Sequence, residues 1–261
     1  MSQKLHLALL VCDTPKQPVV DKYGDYPYMF AEVFDKAREP NVDITWEHFD
    51  VVHAMQYPSL EDLKNHKFDG IVITGSAYSA YENDEWILKL VDFVKLMRTE
   101  PYRSTVRIIG VCFGHQILAR SSGGVCEKNK NGWERLNQVH QDHIPDLPDG
   151  FHSLATTAPH TAIHALVSDD NQCLTIQGHP EYKRGAVEML LKIRQEAGIL
   201  TKEFAEEQLE KLRTEGPEME DIWLIQRFID FLLGKLAVEP KDYVDPDTGN
   251  PSGPNVKIGN D

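Results

Sequence analysis

The sequence predicts an open α/β fold, a mainly parallel sheet with helices on both faces, on three observations. Short apolar runs alternate with amphipathic stretches along the chain. Two of the runs, Ile71-Val72-Ile73 and Ile108-Ile109-Gly110-Val111, carry no polar alternation, which is the pattern of strands buried on both faces. Between them, Trp86, Leu90, Phe93, Val94 and Met97 recur on one face at helical spacing. In such a fold, functional groups are expected at the carboxyl ends of the strands.

Taken in order, residues 5–11, 44–49, 70–74 and 106–111 read as strands. The first runs directly into Asp13 and Pro15 with no small-residue cleavage site, so it reads as a strand and not as a secretory signal. Residues 28–38 and 85–98 read as helices. The middle region, 132–179, is mixed, with short strands expected at 154–157, 162–167 and 173–178. Helices at 185–196, 202–214 and 221–236 follow, the last with Ile222, Ile225, Phe228, Ile229, Leu232 and Leu233 as its apolar stripe. From residue 238, Pro240, Pro246, Gly249, Pro251, Gly253 and Pro254 break every periodicity. The expected organisation is a catalytic domain over 1–200, appended C-terminal helices over 201–237 packed on it, and a disordered tail over 238–261.

With 261 residues, 41 % of them hydrophobic, the chain can build a substantial core. Its 41 acidic and 27 basic side chains give a net charge of −14, against nonspecific nucleic-acid binding and against docking on an anionic membrane. No stretch approaches the ~20 apolar residues of a membrane span. Cys12, Cys112, Cys126 and Cys173 form no C-x-x-C pair, so a zinc knuckle is not expected, and they are too few for a disulfide scaffold. The compartment read from this is cytoplasmic, with the nucleus left open.

The strongest chemical signal is Gly110-Val111-Cys112-Phe113-Gly114-His115-Gln116. An apolar strand ends at G-x-Cys-x-G and a helical pattern follows, which is a nucleophile elbow with Cys in place of Ser. The tight turn needs glycines, because side chains there would meet neighbouring strands. It also sets the Cys112 sulfur at a helix N-terminus, where the dipole and free N–H groups favour a thiolate. A cysteine without these flanks would read as a buried structural thiol, as Cys126 and Cys173 do. The base and its orienting acid are sought in Gln177-Gly178-His179-Pro180-Glu181. In an extended segment, His179 and Glu181 project to the same side, so Glu181 can fix the imidazole tautomer for Cys112.

Together, Gly-Val-Cys-Phe-Gly-His-Gln at 110–116 and Gln-Gly-His-Pro-Glu at 177–181 resemble the class I, or triad, glutamine amidotransferases. The resemblance spans about residues 5–196. It extends to Ile73-Thr74-Gly75-Ser76-Ala77-Tyr78-Ser79-Ala80-Tyr81, similar to a loop of the stand-alone type found in fungal amidotransferase-like proteins and plant γ-glutamyl peptidases. It implies a flavodoxin-like sheet and hydrolysis of a γ-glutamyl amide through a thioester. Cys112 matches the nucleophile, His179 the base and Glu181 the orienting acid. Backbone N–H groups of Gly75, Ser76 and Phe113 match the oxyanion hole. Gln116 matches a substrate-binding position, with ordinary packing as the alternative, and His140 and Gln141 match a stretch that contacts the substrate's α-amino and carboxylate groups. The implied chemistry requires no metal or organic cofactor, and its substrate is a small molecule, glutamine or a γ-glutamyl peptide.

The interval from Cys112 to His179 is shorter than this family's usual one, because only Arg135-Leu136-Asn137-Gln138 separates Glu134 from Val139. A hairpin near the site is therefore expected to be missing. The pairs His140/His143 and His160/His164 lack the H-E-x-x-H or cysteine context of a zinc site and read as polar residues. Tyr23-Gly24-Asp25-Tyr26-Pro27 either lines the cleft or opens a helix. The leading reading is a free-standing glutaminase or γ-glutamyl peptidase. The alternatives are a non-enzymatic binding or regulatory protein that keeps the fold, an ammonia-supplying subunit of a separate synthetase, and a different elbow-cysteine hydrolase of the same broad fold.

Overall fold

The computed structural model describes residues 2–130, 132–133, 140–158, 160–214 and 221–252. The chain begins β1 (Gln3–Val11), α1 (Gln17–Tyr23), α2 (Tyr26–Ala37), β2 (Val42–Asp50), α3 (Leu60–Lys64), β3 (Gly70–Ile73) and α4 (Glu85–Met97). It continues α5 (Tyr102–Thr105), β4 (Arg107–Val111), α6 (Phe113–Ser121), β5 (Glu127–Lys128) and β6 (Asp142–His143). Then come β7 (Phe151–Thr157), β8 (Thr161–Ser168), β9 (Cys173–Ile176), α7 (Arg184–Glu196), α8 (Lys202–Thr214) and α9 (Asp221–Leu232).

Seven strands form one sheet in the order β2-β1-β3-β4-β9-β8-β7. The five from β2 to β9 are parallel to their neighbours, and β8 and β7 add an antiparallel edge. β5 and β6 pair apart from it. This is the mainly parallel sheet the apolar runs predict. β1 shows why: Leu5, Leu7 and Leu9 enter the core shared with α2, α7, α8 and α9, while Ala8 and Leu10 enter the core shared with α4 and α6. A strand covered on both sides loses its polar alternation.

The predicted helices start and stop where caps set them. Asp25 accepts the Tyr28 N–H at 3.0 Å and opens α2 two residues before the periodic pattern does. Helices α1, α3 and α5 have 7, 5 and 4 residues, too short for a 3.6-residue period to show.

α9 shares its core with the sheet. Ile225, Phe228, Ile229 and Leu232 belong to the same buried cluster as Leu7 and Val72. A Leu232 methyl occupies the space that a side chain at Gly70 would need. The stretch from residue 238, expected to be disordered, differs from that reading as far as Ser252. Asn171 clamps Val238, its Oδ1 accepting the Val238 N–H at 2.9 Å and its Nδ2 donating to the carbonyl at 3.2 Å. Tyr243 stacks on His152 at 3.8 Å, and the Val244 N–H donates to the Ser153 carbonyl of β7 at 2.9 Å. The prolines limit helix here to a single 3-10 turn, Pro240–Asp242, and leave backbone groups free to cap an open sheet edge. Residues 253–261 of that expected tail lie outside the described residues. Among the described residues, no helix is long and apolar enough to cross a membrane.

The registers Ile73↔Gly110 and Val111↔Ile176 bring the carboxyl ends of β3, β4 and β9 side by side. The next residues of each strand therefore meet at one place. A core that includes α9 predicts that Phe228→Ala costs about 3–5 kcal/mol in urea unfolding. A loss below about 1 kcal/mol would mean that α9 is an appendage.

Candidate active site

Cys112 stands between β4 and α6 with φ 51° and ψ −102°, a backbone conformation few L-residues adopt. Both of its peptide groups are held. Its N–H donates to the Ile176 carbonyl at 2.8 Å, and its carbonyl accepts the Gln116 N–H at 3.1 Å. A strained conformation persists where its surroundings over-determine it, and such strain collects at functional sites. The flanking glycines are sterically required. A Cβ on Gly114 would lie 2.5 Å from the Ile73 carbonyl of β3, and one on Gly110 would lie 2.7 Å from the Gly114 carbonyl. Only the first is the clash with a neighbouring strand that the turn predicts; Gly110 makes room for α6 instead.

His179 and Glu181 lie beyond β9 and face Cys112. His179 Nδ1 bonds Glu181 Oε1 at 2.7 Å, and the ring also feels the Cys112 sulfur electrostatically. The segment between them is a turn rather than extended chain: the Tyr182 N–H returns to the His179 carbonyl at 3.2 Å. Pro180 follows His179, the position where a proline presets such a turn. The Glu181 side chain is wholly buried and the His179 side chain nearly so. Burial works against a charged ring, but the Cys112 sulfur and the Glu181 carboxylate outweigh it and push the His179 pKa up to about 10.

Two tyrosines hold the imidazole in place. Its ring stacks on Tyr182 at 4.6 Å, and the Tyr182 hydroxyl bonds that of Tyr26 at 2.8 Å. Burial, reinforced by the nearby Glu181, pushes both phenols up, so they stay neutral. Tyr26 thus both opens α2 and reaches the site, the two alternatives read for residues 23–27. Gly75 completes the seat: a Cβ there would lie 2.6 Å from His179 Cε1. Its loop is latched by Thr74, whose hydroxyl accepts the Cys12 N–H and donates to the Gly75 carbonyl, both at 2.9 Å. Ser76 follows, its hydroxyl accepting the Tyr78 N–H at 3.1 Å. Phe113 is the first residue of α6, so its N–H has no carbonyl one turn earlier to bond.

Gln116 is buried, and its amide nitrogen donates to the Asp142 carbonyl and to Gln177 Oε1, both at 3.0 Å. An amide nitrogen has two hydrogens, so both are used inside the protein. Gln177 in turn points its Nε2 at Cys112 Sγ, 3.6 Å away. No role for Gln177 was read from the sequence. The signal lay in the register, since Val111 pairs with Ile176 and the next residues on each strand are Cys112 and Gln177. That signal exists only once β4 and β9 are known to be neighbours.

His140 is buried and bonds the Asp142 carbonyl through Nδ1 at 2.9 Å. Burial, with His179 and two further histidines nearby, holds its pKa well below the usual range. Gln141 gives its carbonyl to the Asn129 N–H at 2.8 Å, and among the described residues no contact joins its side chain to Cys112 or His179. His115 is fully buried against Thr175, and burial lowers its pKa to about 3. Burial pushes the Cys126 and Cys173 thiols up to about 12, which fits packed, inert thiols. Residues 134–139, where the missing hairpin was expected, lie outside the described residues. Among the described residues, no group of three or more His, Cys, Asp or Glu is placed to hold a metal ion.

The chain is similar in sequence and in fold to known proteins. The model of the family described as "Glutamine amidotransferase class-I" matches residues 19–138. A glutamine amidotransferase-like protein of Schizosaccharomyces pombe is 32% identical over 254 residues, covering 87% of this chain and 98% of its own. Gamma-glutamyl peptidase 4 of Arabidopsis thaliana is 29% identical over 232 residues, covering 78% of this chain and 86% of its own. Among solved structures, a glutamine amidotransferase of Thermotoga maritima shares the fold with a TM-score of 0.60 at 17% identity, over 88% of this chain and 96% of its own.

The contacts of His179 yield a direct prediction. In the intact protein, NMR of its ring follows a titration near pH 10, where the neighbouring charges set it. In Cys112→Ala it titrates about 1–3 pH units lower, because the attraction of the sulfur is gone. Identical titrations in the two proteins would mean that sulfur and ring do not interact.

Proposed function

Because this chain belongs to the class-I glutamine amidotransferase family, we propose that it hydrolyses γ-glutamyl amides with Cys112 as nucleophile, His179 as acid and base, and Glu181 as the orienting acid. The observation that carries this reading is the buried His179–Glu181 pair, 2.7 Å apart and joined to a cysteine on a strained elbow. A nucleophile, a base beside it and an acid that orients the base are what nucleophilic catalysis needs.

The raised pKa of His179 keeps its ring protonated before reaction, and the reacting form of Cys112 in this scheme is the thiolate. The thiolate attacks the γ-carbonyl, a C–S bond forms, and the carbonyl oxygen becomes an oxyanion. The Phe113 N–H and the backbone of the Gly75–Ser76 loop are its donors, fixed before reaction and therefore without reorganisation cost. His179 gives its proton to the departing nitrogen as the C–N bond breaks. Water then attacks the thioester while His179 takes its proton, and the C–S bond breaks to release glutamate. Glu181 holds the ring in the tautomer that points Nε2 at the chemistry and stabilises its charged form.

Gln177 is a positioning residue in this scheme. Its N–H aims at Cys112 Sγ, and Gln116 holds it there from the other side. Gln116 thus acts through Gln177, with only its own oxygen left to meet a substrate. His140 lies close enough to His179 for the two rings to interact, and burial keeps it neutral.

Two measurements test the reading. Purified Cys112→Ser releases glutamate from glutamine and from γ-glutamyl dipeptides at least ~10³-fold more slowly than the parent protein; unchanged release would refute the nucleophile. Gln177→Leu lowers kcat/KM by about 10–100-fold, as expected for loss of a hydrogen bond to a charged atom. It also moves the acid limb of the kcat/KM profile to higher pH, and Gln177→Asn restores part of the loss. A uniform drop with an unmoved acid limb would leave Gln177 a packing residue.

A further inference from the structure

The loop that leaves β3 runs past the elbow from Thr74 to Tyr78, and its N–H groups are unequally used. Thr74 donates to the Leu10 carbonyl at 3.2 Å, Ala77 to Asp13 Oδ2 at 2.8 Å and Tyr78 to the Ser76 hydroxyl at 3.1 Å. Among the described residues, no hydrogen bond takes up the N–H of Gly75 or Ser76. These two lie beside the reacting groups. Ile73 pairs with Gly110, so two residues further along each strand Gly75 comes level with Cys112. A Cβ on Gly75 would lie 2.6 Å from His179 Cε1.

We propose that Asp13 is the positioning residue of the oxyanion hole. Its carboxylate, at the end of β1, holds the loop so that the N–H groups of Gly75 and Ser76 stay directed at the oxyanion. The inference rests on the catalytic reading above and adds to it the residue that shapes this donor pair. A loop that contains glycine has little of its own to fix the direction of its peptide planes. Here the grip comes from the end of β1. At the first end of the loop, the Thr74 hydroxyl accepts the Cys12 N–H and donates to the Gly75 carbonyl, both at 2.9 Å. At the other end, Asp13 takes the Ala77 N–H. The two N–H groups between these holds are left for a ligand, and donors fixed before reaction stabilise an oxyanion without reorganisation.

Asp13 is itself anchored for this task. Its Oδ1 accepts the Thr14 N–H at 2.7 Å, which ties the carboxylate to its own backbone, while Oδ2 reaches across to Ala77. A carboxylate is a stronger acceptor than a neutral oxygen. Its negative charge, taken alone, opposes an oxyanion. The benefit of Asp13 therefore passes through the bond to Ala77, and an uncharged acceptor in its place serves in part.

The test uses the full chain with Asp13→Ala, with Asp13→Leu as a second variant that keeps the volume, and with Asp13→Asn, which keeps an acceptor for Ala77. Release of p-nitroaniline from γ-glutamyl-p-nitroanilide follows acylation, which passes through an oxyanion. Alkylation of Cys112 by iodoacetamide, located by peptide mapping, displaces iodide at a saturated carbon and passes through none. Calorimetric titration of glutamine into the same variants carrying Cys112→Ala follows binding without turnover. In Asp13→Ala and Asp13→Leu, kcat/KM for the anilide falls about 10–100-fold, part of the ~10²–10³-fold that outright loss of an oxyanion donor costs. The alkylation rate and the glutamine affinity stay at the parent values, and Asp13→Asn recovers part of the loss. An unchanged kcat/KM, or an equal fall in alkylation, would overturn the proposal. So would a loss that appears wholly as weaker glutamine binding, which would make Asp13 a contact for the substrate's ammonium group. Failure of the catalytic reading looks different: Cys112→Ser then turns over the anilide as fast as the parent protein.

Discussion

The backbone of Cys112 is the constraint on which the rest of the site depends. At φ 51° the chain turns from strand to helix in a single residue and leaves the sulfur on the outside of the bend. Such a turn costs on the order of 1–3 kcal/mol by itself. It is held by a bond to β9, by the first bond of α6, and by two glycines without which β3 and α6 could not approach. Every partner of the sulfur then follows from strand order. β3 lies on one side of β4 and contributes the Gly75 loop; β9 lies on the other and contributes Gln177 and His179.

Charge comes next. An ionised carboxylate buried like that of Glu181 is tolerated only with a close partner. His179 is that partner, and it is polarised in turn by the sulfur. The neutral tyrosine pair against its ring adds packing and a hydrogen bond without a competing charge. The imidazole is fixed by stacking on one face, by Gly75 at its edge, and by Glu181 at one nitrogen. Only the nitrogen facing Cys112 remains for chemistry.

Much of this was legible in the sequence because it is local. Ile71–Ile73 and Ile108–Val111 announced buried parallel strands, and the glycines at 110 and 114 singled out one cysteine among four. His179 and Glu181 were found two residues apart, although a turn and not an extended segment brings them together. The parts that were not legible depend on which strands are neighbours. Gln177 became visible only through the β4–β9 register, and with it the bond that Gln116 makes to its Oε1. The chain beyond residue 238 read as a loose tail because its bonds are long-range, to Asn171, Ser153 and Thr156, and leave no periodic trace.

The central claim is that the acyl group passes through Cys112. The most direct measurement is intact-protein mass spectrometry on enzyme quenched in acid during turnover of a γ-glutamyl amide, followed by peptide mapping. The account predicts one glutamyl group added to the protein, carried on the peptide that contains Cys112 and lost on treatment with hydroxylamine. Glutamate released steadily with no adduct on that peptide, or an adduct on another residue, would contradict it.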